Sequence, residues 1–577
     1  MESQPSLFGS MPAIAGELFS ENDRYRLFAQ KVWPVLAGTR AALEKCYCVD
    51  NGRPGIEPVL LMGVLVLQFL ERLPDRQAVE MVKYHLGWKL ALNIELEEKG
   101  FHPTALVYFR QRLLKHDQAG IAFRAVIEAL QEEGLVPKKT RQRLDSTHVV
   151  GLVARLSTLD CIRETLRLAL EELAEALAET ERPDFWPLLW ERYVENKLDY
   201  KSAEAVLGSK QKQAGEDIAL LMKWLEPLGL EVREGRQVKL LRRVFEENYI
   251  LEKSGEYEPV KVRGSGAVQN PHEPEAQYCV KGQDKLRSSW VGYRVQVAES
   301  MGEKGNFLTS IVTQEATGSD DAGLPATLKK QEEMGLEAPS ELYVDGAYIS
   351  AAALNQAEKE NRELLGRAQP SPHKAKIFSA EKFDVRVEER RAFCPAGKES
   401  TQCSRLEEKK SGKVNFRFEW SSHCHECKLR EKCVGADQRH RSVVVGENHT
   451  ILQKRRHEQE TAEFAERMKQ RNGIEGTQSE LVRAHGLRRA RYRGKARVDL
   501  QNQFIGAACN IKRWLRLLMQ QPKEENPENN PPTGCIAIKT GLLQIISDNI
   551  QAFFPVFCQS IGRFVSFTPG PSYGHTS

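Results

Sequence analysis

The spacing of apolar positions changes repeatedly between residues 140 and 370, and this change constrains the fold more than any other feature. Short runs rich in β-branched and apolar residues predict strands at 143–153, 290–298, 307–313, 341–347 and 363–367. Helical spacing predicts helices at 326–334 and 351–360 between the later runs. Strands that alternate with helices after a hairpin are typical of a mixed sheet. The predicted fold class is therefore α+β, with a mixed α/β core.

Helical sequence precedes this core, from residue 20 to residue 130. Its clearest helix spans 58–70, and Asp75 is predicted to be the N-cap of a second helix at 76–86. A third helix begins after residues 102–104 and carries four polar or basic side chains: Tyr108, Arg110, Arg112 and Lys115. This order predicts a DNA-binding, helix-turn-helix-like domain, although any small helical bundle would give the same pattern.

The remaining chain divides by composition, as expected for 577 residues and roughly three to four domains. The strand at 143–153 is followed by a helical insertion at 158–255, in which Trp186, Trp190 and Trp224 are predicted to be core residues. Residues 253–289 are predicted to be loop. The core is expected to comprise 140–370 and 453–520, and 521–577 a Pro- and Asn-rich linker with a peripheral tail.

Charge and hydropathy place the chain among ordinary globular proteins. There are 83 Lys and Arg residues against 79 Asp and Glu, a net charge of +4. Affinity for a polyanion must therefore depend on where the basic side chains lie. We find neither a secretory signal nor an uninterrupted apolar stretch long enough to span a membrane, so a cytoplasmic location and no membrane partner are expected.

Cysteines are sparse but clustered, with five of the twelve between positions 394 and 433. Cys424 and Cys427 have the Cys-x2-Cys spacing of a tetrahedral zinc site, and Cys394 and Cys433 would complete a closed four-sulfur set. Possible replacement ligands are Cys403, His423 and His425. The segment 385–440 is therefore predicted to be a cysteine-rich, zinc-ribbon-like insertion; the alternative is a set of unliganded thiols.

Acidic residues stand at the ends of predicted elements. Asp145 lies in the first strand, Asp345 at the end of a later one, and Glu475 or Glu480 on a late helix. Carboxylates that meet from two strands and a helix can hold two Mg²⁺ or Mn²⁺ ions for displacement at phosphorus. Each Asp alone is more often a turn or cap residue. His148 would point to the opposite side of the strand from Asp145 and is more often structural.

A strongly basic segment follows the late helix. Seven positive charges occur within fifteen residues, with Tyr492 among them and no acidic side chain between: Arg483, Arg488, Arg489, Arg491, Arg493, Lys495 and Arg497. Such a run favours phosphate contacts and counterion release on DNA. The alternative is a solvated helix surface.

Several motifs resemble one protein family. The stretch 52–61 (GRPGIEPVLL), together with 73–76, 102–104 and 109–113, resembles the InsH-type N-terminal domain of bacterial insertion-sequence transposases. The stretches 144–148 (LDSTH), 343–347 (YVDGA), 471–475 (RNGIE) and 485–494 (HGLRRARYRG) resemble the three acidic stations of a DDE transposase. The matching parts occur in the expected order.

This resemblance implies a ribonuclease H-like catalytic core in which Asp145, Asp345 and Glu475 bind two divalent metals. Arg471, four residues before Glu475, matches the Arg of a family signature that also contains a Tyr and a Lys or Arg. Met468 stands at the signature Tyr position, and Val482, followed by Arg483, at the last one. The chain therefore departs from the family at two signature positions that handle the cut DNA end.

The resulting hypothesis is a transposase that cuts the inverted ends of its element and joins the 3′-hydroxyls to target DNA. The family implies double-stranded DNA as the partner, including terminal repeats and target, a homodimer in the end complex, and a nucleoid-associated location. One alternative is a ribonuclease H-like nuclease that cuts without joining. Another is a catalytically inactive DNA-binding repressor.

Overall fold

The structure is a computed structural model that describes residues 18–48, 55–196, 204–282, 288–370, 377–408, 412 and 414–520. The predicted linker and tail at 521–577 lie outside the described residues. So do residues 52–54 of the N-terminal motif.

A mixed sheet forms the centre of the fold. Its strands are β1 (Arg141–Val150), β4 (Gln277–Lys281), β5 (Ser288–Ser300), β6 (Leu308–Glu315), β7 (Glu341–Tyr343) and β8 (Glu363–Leu365). Strand β5 pairs antiparallel with β1, β4 and β6, and the parallel strands β7 and β8 continue the sheet beyond β1. The predicted mixed α/β core is thus confirmed, with β7 ending at Tyr343, before Asp345.

Helices pack around this sheet. Asp320–Glu333 and Ala351–Lys359 connect β6 to β7 and β7 to β8. The helices after the cysteine-rich segment are His449–Glu458, Ala462–Met468, Gly473–His485 and Lys495–Gln520. We call Gly473–His485 the late helix and Lys495–Gln520 the last helix. Within the described part of the chain, none of the helices combines the length and apolar character needed to cross a membrane.

The N-terminal region is helical, as predicted. Its α-helices are Arg24–Leu27, Trp33–Gly38, Arg40–Glu44, Pro58–Glu71, Asp75–Tyr84, Leu86–Ala91, Thr104–Lys115 and Ile121–Glu132, with a π-helical turn at Phe28–Val32. The prediction for Asp75 was wrong, because Pro74 is the N-cap and Asp75 is the first helical residue. Its carboxylate accepts hydrogen bonds from Gln68 and Arg110 instead of capping the helix.

The helical insertion follows β1. It contains the α-helices Thr158–Ala176, Trp186–Trp190, Glu204–Leu225, Leu230–Arg233 and Arg236–Asn248, with short turns at Glu179–Glu181 and Glu191–Glu195. Trp186 is buried in its separate hydrophobic core, and Trp190 and Trp224 pack against that core, as predicted. The prediction of loop over 253–289 was wrong in part. The hairpin β2 (Tyr249–Leu251) and β3 (Tyr257–Pro259) reaches into this range, which also holds β4 and the start of β5.

The cysteine-rich segment forms small antiparallel sheets. Strands β9 (Asp384–Arg386) and β10 (Arg391–Phe393) pair with each other. Strands β11 (Gln402–Glu407), β12 (Val414–Glu419) and β13 (Ser442–Gly446) form a second sheet, and the short helix Arg430–Cys433 lies between β12 and β13. Phe383, Phe418 and Trp420 are buried in the core of this segment.

The N-terminal helices share one hydrophobic core with the central sheet. This core joins helix Pro58–Glu71, one side of β5 and β6, the late helix and the last helix. Phe69 stacks on Phe504 of the last helix, with ring centroids 5.4 Å apart. The apolar sequence at 58–70 is thus buried within the chain, which favours a rigid attachment of the N-terminal helices to the sheet.

Candidate active site

Asp145 lies in the middle of β1, opposite Val297 of β5. The prediction that it stands at the end of an element was wrong, because pairing with β7 makes β1 begin at Arg141. Its Oδ1 accepts a hydrogen bond of 2.7 Å from the backbone N–H of Ser146, and only 16% of the side chain is exposed. Burial raises the pKa of the Asp145 carboxyl, and nearby Asp345 adds to the rise, whereas the Ser146 N–H and Arg471 oppose it. A neighbouring cation therefore stabilises this carboxylate.

Asp345 follows β7, the parallel neighbour of β1. It is the N-cap of the short helix Gly346–Tyr348, and its Oδ1 accepts a 2.6 Å hydrogen bond from the Gly346 N–H. A Cβ at position 346 would lie 2.8 Å from the carbonyl oxygen of Arg367, so this turn requires glycine. The Asp345 side chain is 59% exposed and can reach solvent ligands.

Arg471 joins the three carboxylates that the sequence singled out. Its Nη2 lies 3.0 Å from Asp145 Oδ2 and 3.9 Å from Asp345 Oδ2, and its Nη1 lies 3.7 Å from Glu475 Oε1 in the first turn of the late helix. Both Asp Oδ2 atoms approach the same nitrogen, so they lie within about 7 Å of each other. The guanidinium occupies the centre of a cluster of hard oxygen atoms, which is the donor set that Mg²⁺ prefers.

Glu480, the competing acidic residue, has other partners. Arg513 Nη2 lies 2.8 Å from its Oε2, and Arg516 Nη1 lies 3.6 Å from its Oε1. Burial pushes its pKa upward, but Arg513 holds the pKa of the Glu480 carboxyl below its ordinary value. The five-residue step from Glu475 to Glu480 rotates the side chain to another side of the late helix.

His148 stacks on Trp290 of β5, with ring centroids 4.7 Å apart. Burial, together with Arg488 and Lys281, lowers the pKa of His148 to about 4. The imidazole is therefore neutral at pH 7. Its stacking fits the structural role expected from the sequence.

The basic segment divides into two groups. Arg483, Arg489, Arg493 and Arg497 are exposed. Arg488 donates a hydrogen bond to the His148 carbonyl, and Arg491 donates to the carbonyl of Leu73 in the N-terminal region. Lys495 lies 4.0 Å from Glu315. Tyr492 packs against the shared core beneath Arg110.

The predicted DNA-reading helix, Thr104–Lys115, also has a buried basic residue. Arg110 is 7% exposed, forms an ion pair with Asp75, and lies over the Tyr492 ring at 4.9 Å. Tyr108, Arg112 and Lys115 are exposed on this helix. Arg110 therefore attaches the helix to the protein, whereas the other three side chains are accessible.

The four predicted zinc ligands lie around one small cavity. Cys394, Cys424, Cys427 and Cys433 line it together with His423. Burial raises the pKa of the Cys433 thiol to about 11 against the effect of Arg441, and the other three cysteines add to the rise. Among the described residues, the three potential ligand atoms that all lie within 4.8 Å of one another belong to another group, Glu480, His485 and Cys509, and not to these cysteines.

Two residues near Glu475, at or beside the positions of the family signature, contact other parts of the protein. Met468, at the expected Tyr position, packs against a small cluster that contains Tyr343, Leu365 and Phe464. Arg483 is exposed, and its carbonyl accepts a 2.9 Å hydrogen bond from Arg72.

Sequence reasoning missed Arg143 and Glu299, which are buried and lie directly opposite each other on β1 and β5. The spacing of residues along the first strand could have indicated Arg143. Arg143 is two residues before Asp145 in a strand, and side chains two apart share one side of a sheet.

The sheet and the carboxylate cluster together fit a ribonuclease H-like core of the transposase class. Comparison with known families agrees. A family described as "Transposase DDE domain" matches residues 393–515, and "Transposase domain (DUF772)" matches residues 14–112. These two matches support an insertion-sequence DDE transposase, an enzyme class whose substrate is DNA. No curated protein and no solved structure matches the chain significantly.

Proposed function

We propose that this transposase cuts the ends of its own element and joins the freed 3′-hydroxyls to target DNA. The observation that carries the proposal is the contact of one guanidinium, that of Arg471, with Asp145, Asp345 and Glu475. Three carboxylates far apart in sequence meet there at the end of β7 and the start of the late helix. Two-metal displacement at phosphorus uses such a concentration of oxygen ligands to hold the ions.

Asp145, Asp345 and Glu475 would hold two Mg²⁺ or Mn²⁺ ions. When bound, these ions would activate the attacking oxygen and stabilise the leaving one. Each Asp uses Oδ1 for a backbone N–H and directs Oδ2 toward the cluster centre. These backbone hydrogen bonds orient the two carboxylates before any ligand binds, which lowers the entropic cost of ordering them.

Glu475 is the third ligand in this proposal. Two observations support Glu475 over Glu480. Arg471 contacts Glu475, whereas Glu480 forms ion pairs with Arg513 and Arg516. The Glu475 side chain is 68% exposed, so it is free to turn toward a metal. Arg471 would then leave the carboxylates and contact a DNA phosphate.

DNA would extend from the carboxylates across the basic segment. The four exposed arginines, Arg483, Arg489, Arg493 and Arg497, are the best placed to neutralise phosphates. Arg488, Arg491 and Lys495 would contribute positive potential while they hold the segment in place. On the N-terminal domain, which we assign to the InsH type, Tyr108, Arg112 and Lys115 would contact the terminal repeat.

The cysteine-rich insertion would bind one structural Zn²⁺ through Cys394, Cys424, Cys427 and Cys433. The placement of all four around one cavity supports this assignment, because four thiolates complete a closed tetrahedral site. Zinc would draw the sulfurs together and stabilise the fold of this segment. We further propose that a nucleoid-associated homodimer pairs the two element ends.

A strand-transfer assay tests the proposed reaction. The probe is a plasmid that carries the natural element with its flanking sequence, incubated with the full-length protein and Mg²⁺. We expect cut ends and joined products, and we expect Asp345→Asn to abolish both. Cutting without joined product would support the nuclease alternative. DNA binding with neither cutting nor joining by the wild-type protein would support the repressor alternative.

A further inference from the structure

A fully buried carboxylate lies behind the cluster. Glu299 of β5 is 0% exposed and stands at a β-bulge, where the pairing of β5 with β6 shifts between Ala298 and Glu299. Arg143 Nε lies 3.2 Å from its Oε1, and Arg513 Nη1 lies 3.3 Å from its Oε2. β-Bulges often redirect a side chain next to a functional site.

The partners of Glu299 belong to the elements that carry Asp145 and Glu475. Arg143 is on β1, two residues before Asp145, and donates a 3.0 Å hydrogen bond to the Gln470 carbonyl. Thr477, two residues after Glu475, donates its hydroxyl to Glu299 Oε2. One buried carboxylate therefore connects β1 with the late helix and, through Arg143, with the residue before Arg471.

Close packing fixes this connection. A Cβ at Gly473, the first residue of the late helix, would lie 1.3 Å from Arg143 Nη1. The Arg143 guanidinium therefore lies against the helix backbone. Its ion pair with Glu299 and its hydrogen bond to the Gln470 carbonyl prevent it from moving away without loss of buried partners.

Buried ion pairs are weak contributors to stability, because desolvation offsets their attraction. The position of Glu299 between two arginines is thus better explained by the arrangement that it gives these side chains than by a gain in stability. Groups behind a metal site that orient its ligands commonly change metal affinity by about 10- to 100-fold when they are replaced.

We propose that Glu299 is a positioning residue that sets the spacing between Asp145 and Glu475. It acts through Arg143 and Thr477 and does not itself bind the metal. The inference rests on the proposed function, since it requires that the carboxylates bind divalent cations.

The test measures Mn²⁺ affinity of the full-length protein by calorimetry, without DNA. Glu299→Gln preserves the side-chain shape but removes the charge and places an amide N–H group against a guanidinium. We expect Mn²⁺ to bind about 10- to 100-fold more weakly. Thr477→Val, which replaces the hydroxyl by a methyl group of similar size, should weaken binding by a smaller factor and covers the case in which Glu299→Gln fails to fold.

Asp217→Asn is the matched control. Asp217 is another buried carboxylate, 6% exposed, and it pairs with Arg192 and Tyr193 in the helical insertion. We expect this variant to lower thermal stability while it leaves Mn²⁺ affinity unchanged. A merely structural Glu299 would behave in the same way.

The outcomes separate the two proposals. If wild-type protein binds Mn²⁺, Asp345→Asn abolishes binding, and the folded Glu299 and Thr477 variants bind as wild type, the positioning role is overturned and the proposed function stands. If wild-type protein binds no Mn²⁺, or Asp345→Asn leaves binding intact, both proposals are overturned.

Discussion

Replacing Arg471 by Met gives the sharpest test of the carboxylate cluster. In the metal-free protein the Arg471 guanidinium is the cation that contacts Asp145, Asp345 and Glu475. A divalent metal must displace it or bind beside its positive charge. Met keeps much of the side-chain volume but cannot neutralise the carboxylates, so the variant should bind Mn²⁺ more tightly than wild type.

The magnitude follows from burial. Asp145 and Arg471 are 16% and 17% exposed, whereas Asp345 and Glu475 are mostly exposed, so one of the three ion pairs is shielded from water. Removing one partner of a fully buried pair costs about 3–5 kcal/mol, and exposed pairs contribute about 0–1 kcal/mol. We expect the metal-free variant to lose about 1–3 kcal/mol of unfolding free energy. Relief of about 1.4 kcal/mol of competition corresponds to about tenfold tighter metal binding.

Calorimetric titration with Mn²⁺ and urea unfolding in EDTA measure these two quantities. Arg467→Met is the matched control. Arg467 lies four residues before Arg471 and forms an ion pair of 2.6 Å with Glu363, which is not one of the three proposed metal ligands. The control should leave Mn²⁺ affinity unchanged. Unchanged or weaker Mn²⁺ binding by Arg471→Met would refute the argument that this guanidinium competes with metal.

Three further predictions concern other parts of the chain. Gly473→Ala would drive a Cβ into Arg143 and should lower the unfolding free energy by about 1–3 kcal/mol, whereas Gly476→Ala, with open space at its Cβ, should raise it by about 0.5–1 kcal/mol in urea unfolding. Cys427→Ser should reduce the zinc content of purified protein, measured by elemental analysis, and equal zinc in both proteins would contradict the assigned ligand set. Burial lowers the pKa of His485 from 6.5 to about 4, so its contribution to stability is present above pH 6.5 and is lost as the pH falls toward 4. His485→Leu should therefore reduce the pH dependence of unfolding by up to about 1.4 kcal/mol per pH unit, and an unchanged slope would contradict this reasoning.

Local pattern was sufficient for most elements of the core. The strands β1, β5 and β6 and the helix Pro58–Glu71 lie close to their predicted ranges, because the two-residue and helical repeats of apolar positions report which side of an element is buried. The pattern failed at β4, whose five residues are too short for a clear alternation.

The sequence by itself determined most strands and helices of the core and singled out Asp145, Asp345 and Glu475, because local pattern depends on neighbours along the chain. The meeting of Asp145, Asp345 and Glu475 at Arg471 was decided by the tertiary structure alone. So was the burial of Arg110, whose charge in the sequence looked like that of the exposed Arg112. The physical reason is that burial and ion pairing depend on residues distant in sequence, which only the packing of helices on the sheet brings together.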